Sequence, residues 1–198
     1  MKTSTLIKLG GLTLILAQLL LMIVDTSYYL TGQPANPTSV VAWIAIFGLI
    51  VRTLGIMTAY VVMARSGGVV ALIGFIVLVF GEFSSVARMT LSLGVAEGVM
   101  ISDQLGRAHS YASAQVFLPW FFILGQLIFG VAIYLSKTYP KIVGVLIALL
   151  GPLAYLTGPL AFTRPIYTIL NIIAWVWLGW VLLSGKGITR LESESATT

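Results

Sequence analysis

The chain has no cysteine and a single histidine in 198 residues. The first absence excludes disulfides, iron–sulfur clusters and thiolate metal sites. The second excludes a bis-histidine haem and a zinc site built on three imidazoles, so neither metal nor cofactor is expected. Charge is also scarce: 9% of residues are Asp, Glu, Lys or Arg, against about a quarter in a soluble domain. No lysine lies within the interior of any apolar run, which removes the attachment point for a retinal Schiff base. There is no H-E-x-x-H, no P-loop and no glycine-flanked nucleophilic serine followed by a histidine at membrane depth. No residue is therefore assigned a catalytic role.

What the chain has instead is apolar sequence. Hydrophobic residues make up 59% of it and the mean hydropathy is +1.03. Six runs stand out, at 6–24, 40–63, 69–93, 111–135, 142–162 and 166–183. Each reaches the roughly 18 residues needed to cross about 30 Å of hydrocarbon. The expected fold is all-α, a single polytopic domain of six transmembrane helices over 1–183 with a polar tail at 184–198. The basic start and first run are expected to form an uncleaved helix, since no small-x-small cleavage site follows.

The net charge of +5 does not point to nucleic acid, because of where the cations lie. Lys2, Lys8, Arg65, Lys137, Lys141, Lys186 and Arg190 all fall on one side of a six-helix arrangement. Arg107 and Arg164 fall on the other, beside Asp25, Glu97 and Asp103. The positive-inside rule then predicts both termini in the cytoplasm and a multi-pass protein of a prokaryotic inner membrane. The expected partner is the lipid bilayer, with a homo-oligomer or a larger membrane complex as the setting and no readable small-molecule substrate.

Glycines recur seven residues apart: Gly48 and Gly55, Gly74 and Gly81, and Gly144, Gly151 and Gly158. Two turns separate the members of each series, so each predicts a stripe where a second helix approaches closely. The fifth run also repeats Gly-Pro-Leu-Ala, with prolines at Pro152 and Pro159 that bend the helix and release carbonyls on one face. Trp175, Trp177, Trp180 and Tyr167 read as core and interfacial belt.

Two opposite charges interrupt this pattern. Arg52 and Glu82 lie near the middle of the second and third runs, where an ionisable group costs about 2.5–3.5 kcal/mol on insertion scales. From a tight turn near Ser66 the two are offset by two residues, about 3 Å along a helix. They are therefore expected at one depth, as an ion pair across a helical hairpin. The pair has two readings: a lock on that hairpin, or a site for a proton, cation, anionic headgroup or solute. A second candidate pair is Asp25 with Arg88, the latter about 33 Å from the turn and so near the outer surface.

From 121 to 183 the chain resembles prokaryotic six-helix membrane proteins of the domain-of-unknown-function type. The likeness rests on Gly125 and Gly130, the short basic turn from Tyr134 through Lys137 and Pro140 to Lys141, then Gly144, Gly151-Pro152 and the tryptophan-rich last run. The resemblance implies a six-helix bundle and no particular activity. The expected function is accordingly a non-enzymatic structural, binding or accessory component of a membrane. A small-solute or ion transporter using Glu82 and Arg52 is the first alternative, and a lipid-modifying enzyme the second.

Overall fold

In hydrocarbon each backbone N–H and C=O needs a partner within the chain, so apolar runs of this length become helices. The computed structural model describes residues 3–31, 38–99, 109–157, 160 and 163–185. Among them are five helical elements and no strand: α1 (Thr3–Thr31), α2 (Ser39–Ala96), α3 (His109–Ser136), α4 (Lys141–Leu156) and α5 (Thr163–Leu183). α1, α2, α3 and α5 are long and apolar enough to cross a membrane, and α4 is a shorter apolar helix. Gly158, Pro159, Asp103, Arg107 and 186–198 lie outside the described residues.

The expected count of six separate helices is corrected at one junction. Instead of a loop at 64–68, helix continues to Gly68, which alone leaves helical geometry (φ 54°, ψ −144°) before helix resumes. That combination is open to glycine and closed to residues with a Cβ, so one residue suffices to turn the chain. A straight α2 would hold residues 52 and 82 about 45 Å apart. Their side chains meet at 2.8 Å, so α2 is a hairpin with arms 39–67 and 69–96. Space is not the constraint at the turn, since nothing lies within 4 Å of where a Gly68 Cβ would point. Gly68→Ala is expected to cost about 1–3 kcal/mol from backbone strain alone. Thermal unfolding of the variant in detergent measures this.

The expected fifth span, 142–162, is also corrected, because α4 ends at Leu156 with Thr157 as its cap. The sequence that follows supplies the reason, since Pro159 has no N–H to continue the ladder.

Glycines set the order of the helices. Gly55 packs on Leu14 and Gly48 on Leu21, which runs α1 antiparallel to the first arm of α2. Gly74 meets the Phe129 backbone and Gly81 that of Phe122, placing α3 antiparallel on the second arm. Gly144 meets Tyr134 and Gly151 meets Ile123, joining α4 to α3; Gly11 and Gly179 join α1 to α5. α5 also touches α4, so the helices close a ring. At the Gly68 end, the Ser66 and Thr138 hydroxyls share a 2.8 Å hydrogen bond and the Tyr139 hydroxyl donates to the Ala59 carbonyl at 2.9 Å. Burial there pushes the Tyr139 phenol well above its ordinary range.

The distribution of polarity is inverted relative to a soluble protein. Leu16, Leu19, Phe47, Leu54, Phe80 and Ile169 are exposed on the outer faces, while Gln18, Arg52, Glu82, Gln126 and Asn171 are buried. Large apolar side chains that face outward around the whole ring need lipid as their solvent.

Candidate functional site: a polar layer inside the helical ring

Arg52 stands between Gly48 and Gly55 on the face that the first arm turns inward, and Glu82 follows Gly81 on the second arm. Both are buried, with 3% and 0% of their surface exposed. Arg52 donates twice to one oxygen, from Nε at 3.2 Å and Nη2 at 2.8 Å, both to Glu82 Oε2. The second carboxylate oxygen, Oε1, makes no hydrogen bond. The guanidinium carbon also lies 5.5 Å from the Phe122 ring centre and 5.8 Å from that of Trp175. Each is a cation–π contact, which spreads the positive charge over apolar walls.

Further polar groups gather at this depth. On α5, Tyr167, Asn171 and Trp175 recur every four residues and so share a face. On α1, Gln18 falls midway between Leu14 and Leu21, which pack against Gly55 and Gly48; that register places it level with Arg52. On α3, Gln126 is one turn beyond Phe122. The Tyr167 phenol is directed toward the Gln126 amide and feels the charges of Arg52, Asp25 and Glu82. Seven buried atoms in the layer bond to no other described group: both amide atoms of Gln18 and of Gln126, Glu82 Oε1, Asn171 Oδ1 and Trp175 Nε1.

A cavity of about 250 Å³ lies toward the end of the ring opposite Gly68. Its walls come from the second arm (Ser84, Ser85, Arg88), α3 (Phe122), α4 with its cap (Ala154, Thr157) and α5 (Tyr167). Because α5 and the second arm are not ring neighbours by their glycine contacts, a space they share is interior, a vestibule at the mouth of the bundle. Phe122 and Tyr167 are common to the vestibule and the polar layer, and together form the partition between them.

The structure thus brings Arg52 and Glu82 together and does not bring Asp25 to Arg88. Asp25 instead accepts from the Thr168 hydroxyl on α5 and feels the charge of Arg164, while Arg88 is exposed on the vestibule wall. Ring order explains the difference: α1 is flanked by α5 and the first arm, and Arg88 belongs to the second arm. Of the predicted packing glycines, Gly48, Gly55, Gly74, Gly81, Gly144 and Gly151 each face a neighbouring helix.

Sequence reasoning did not single out Gln18, and it assigned Trp175 and Tyr167 to core or belt. The available signal for Gln18 was a lone amide in an otherwise apolar run. Among the described residues the layer gathers one carboxylate, one guanidinium, three amides, a phenol and an indole, groups that can donate and accept hydrogen bonds. No protein-family model, curated protein or solved structure matches the chain.

Proposed function

We propose that this chain is a six-span protein of a prokaryotic cytoplasmic membrane, akin to the six-helix membrane proteins of unknown function. In this reading both termini lie in the cytoplasm, and the protein works without catalysis as a binding component. The arms of α2 count as two spans and α4 as a short one. The interior layer around Arg52 and Glu82 is the binding site, and its guest is small and polar.

The observation that carries this reading is the set of seven unpartnered buried atoms. A buried polar atom with no partner costs about 1–3 kcal/mol. Seven together approach or exceed the whole stability of an ordinary domain, about 5–15 kcal/mol. In this reading a guest with both donors and acceptors, such as water or a small polar solute, completes the layer. The ion pair orients the layer and joins the two arms of α2, which makes the structural and the binding roles one arrangement.

The Trp175 indole provides the test. With a guest in the layer, its N–H is expected to show magnetisation transfer from water, identified by its loss in Trp175→Phe. An indole N–H protected from exchange for hours would sink the reading.

The vestibule favours a second reading, carriage of a small solute or ion through the layer, since it approaches the pair from one end. Under that reading Glu82→Gln in proteoliposomes abolishes proton-linked or solute flux while the protein stays folded.

A further inference from the structure

We infer that the vestibule is a binding site for a small organic monocarboxylate, held by Arg88 with its apolar body against α3 and α4. This assignment concerns a site distinct from the interior layer and stands whether or not that layer hosts a guest.

Four observations carry it. The first is charge. Arg88 is the cation on the vestibule wall, and no ion-pair partner for it occurs among the described residues. Among the described residues, Arg164 toward this end lies within the field of Asp25, and Arg52 is bound to Glu82. One guanidinium matches one carboxylate, which it binds through two parallel N–H donors. A phosphate dianion would call for more cations than the wall provides.

The second observation is the hydroxyl set beside Arg88. Ser84 and Ser85 donate to the Gly81 carbonyl at 2.7 and 3.0 Å, and Thr157 donates to the Ala154 carbonyl at 2.7 Å. Each hydroxyl decorates a carbonyl of its own helix, so rotating it toward an anion exchanges a local bond for a charge-assisted one.

The third is the opposite wall. Pro119, Phe122, Ile123 and Ala154 offer no donor from their side chains, and a fully charged or sugar-like ligand would leave its polar groups unmet there. A ligand with one charged end and one apolar end meets both walls. The fourth is size: about 250 Å³ equals roughly eight water volumes of about 30 Å³ each. That holds a short-chain or single-ring acid.

The position of the site supports entry from the aqueous phase. Arg88 lies about 30 Å from Gly68 along its arm, close to the thickness of the hydrocarbon core. The vestibule is also bounded by four helical segments rather than open between two.

Labelled benzoate binding to the purified full chain in neutral detergent tests the assignment. The expected result is saturable binding of one benzoate per chain, competed by hexanoate and weakened by raised salt. Arg88→Gln is expected to weaken it about tenfold or more. Ala154→Leu, which narrows the cavity and leaves the charge in place, is expected to weaken it as well. Arg65→Gln, an exposed cation near the Gly68 end, leaves binding unchanged. Benzyl alcohol, inorganic phosphate and phosphatidylglycerol in mixed micelles are not expected to compete. Equal binding by folded Arg88→Gln would overturn the assignment, as would displacement by benzyl alcohol, which would reveal apolar partitioning. Displacement by phosphate or by phosphatidylglycerol would likewise overturn it, identifying a free phosphate site or a lipid headgroup site respectively. None of these readouts depends on water at Trp175, so the two sites fail separately.

Discussion

Glu82→Ala is expected to destabilise the folded chain by about 3–5 kcal/mol, because it leaves a guanidinium buried with no anion. Arg52 cannot escape by losing its proton, since arginine stays charged in proteins. Its contacts with Phe122 and Trp175, at 5.5 and 5.8 Å, are worth about 2 kcal/mol each and were already present beforehand. Arg52→Ala should cost less than Glu82→Ala, because a carboxylate left alone in an apolar setting can take up a proton and become neutral. The double variant Arg52→Met, Glu82→Leu removes both charges and should recover most of the loss, as buried ion pairs often tolerate apolar replacement. Unfolding of the unsubstituted protein, Arg52→Met, Glu82→Leu and their double variant in one detergent, read as a double-mutant cycle, measures the coupling. Costs that simply add would mean that the 2.8 Å contact does not hold the arms of α2 together.

The second large effect is expected at the seam between the second arm and α3. A Cβ on Gly81 would stand 2.6 Å from Phe122 Cα and 2.7 Å from Phe122 N. Both atoms are backbone, so no side-chain rotation relieves the clash, and α3 must move away. Overpacking of this kind costs about 1–3 kcal/mol. Here it also shifts Phe122, which lies against the Arg52 guanidinium and forms part of the vestibule wall. Gly125→Ala makes the equivalent demand from the opposite side, where its Cβ would meet the Leu78 backbone. Once one substitution has separated the helices the other has room, so the double variant should lose less than the sum of the singles. Strict additivity in thermal unfolding would show that the two glycines do not guard the same separation.

Much of this architecture is legible in the chain. Apolar runs predict helices because hydrocarbon leaves the backbone no other partners. The Arg52 to Glu82 contact was legible for a similar reason: depth in a helix is arithmetic, at about 1.5 Å per residue from a known turn. The seven-residue glycine spacing likewise marked faces of close approach. The same arithmetic did not reveal which helices are neighbours. Asp25 and Arg88 were matched by depth, yet Asp25 faces Arg164 and Thr168 across the α1–α5 seam. Hydropathy also marked the ends of the α2 hairpin imprecisely. Helix runs on to within one residue of the reversal, and a single glycine with positive φ does what a loop was expected to do.

The sequence by itself determined that this chain is helical, membrane-directed and without the thiols that disulfide or thiolate chemistry needs. It also determined that two opposite charges share a depth, because those properties follow from composition and from distance along one helix. Only the tertiary structure decided which helix faces which, and with that the gathering of Gln18, Gln126, Asn171 and Trp175 around the pair and the vestibule beside Arg88. The physical reason is that azimuth around a closed ring depends on how every helix packs on its two neighbours, through contacts such as Gly81 on Phe122 and Gly11 on Gly179. No run of sequence contains that information alone, because each contact is shared between two of them.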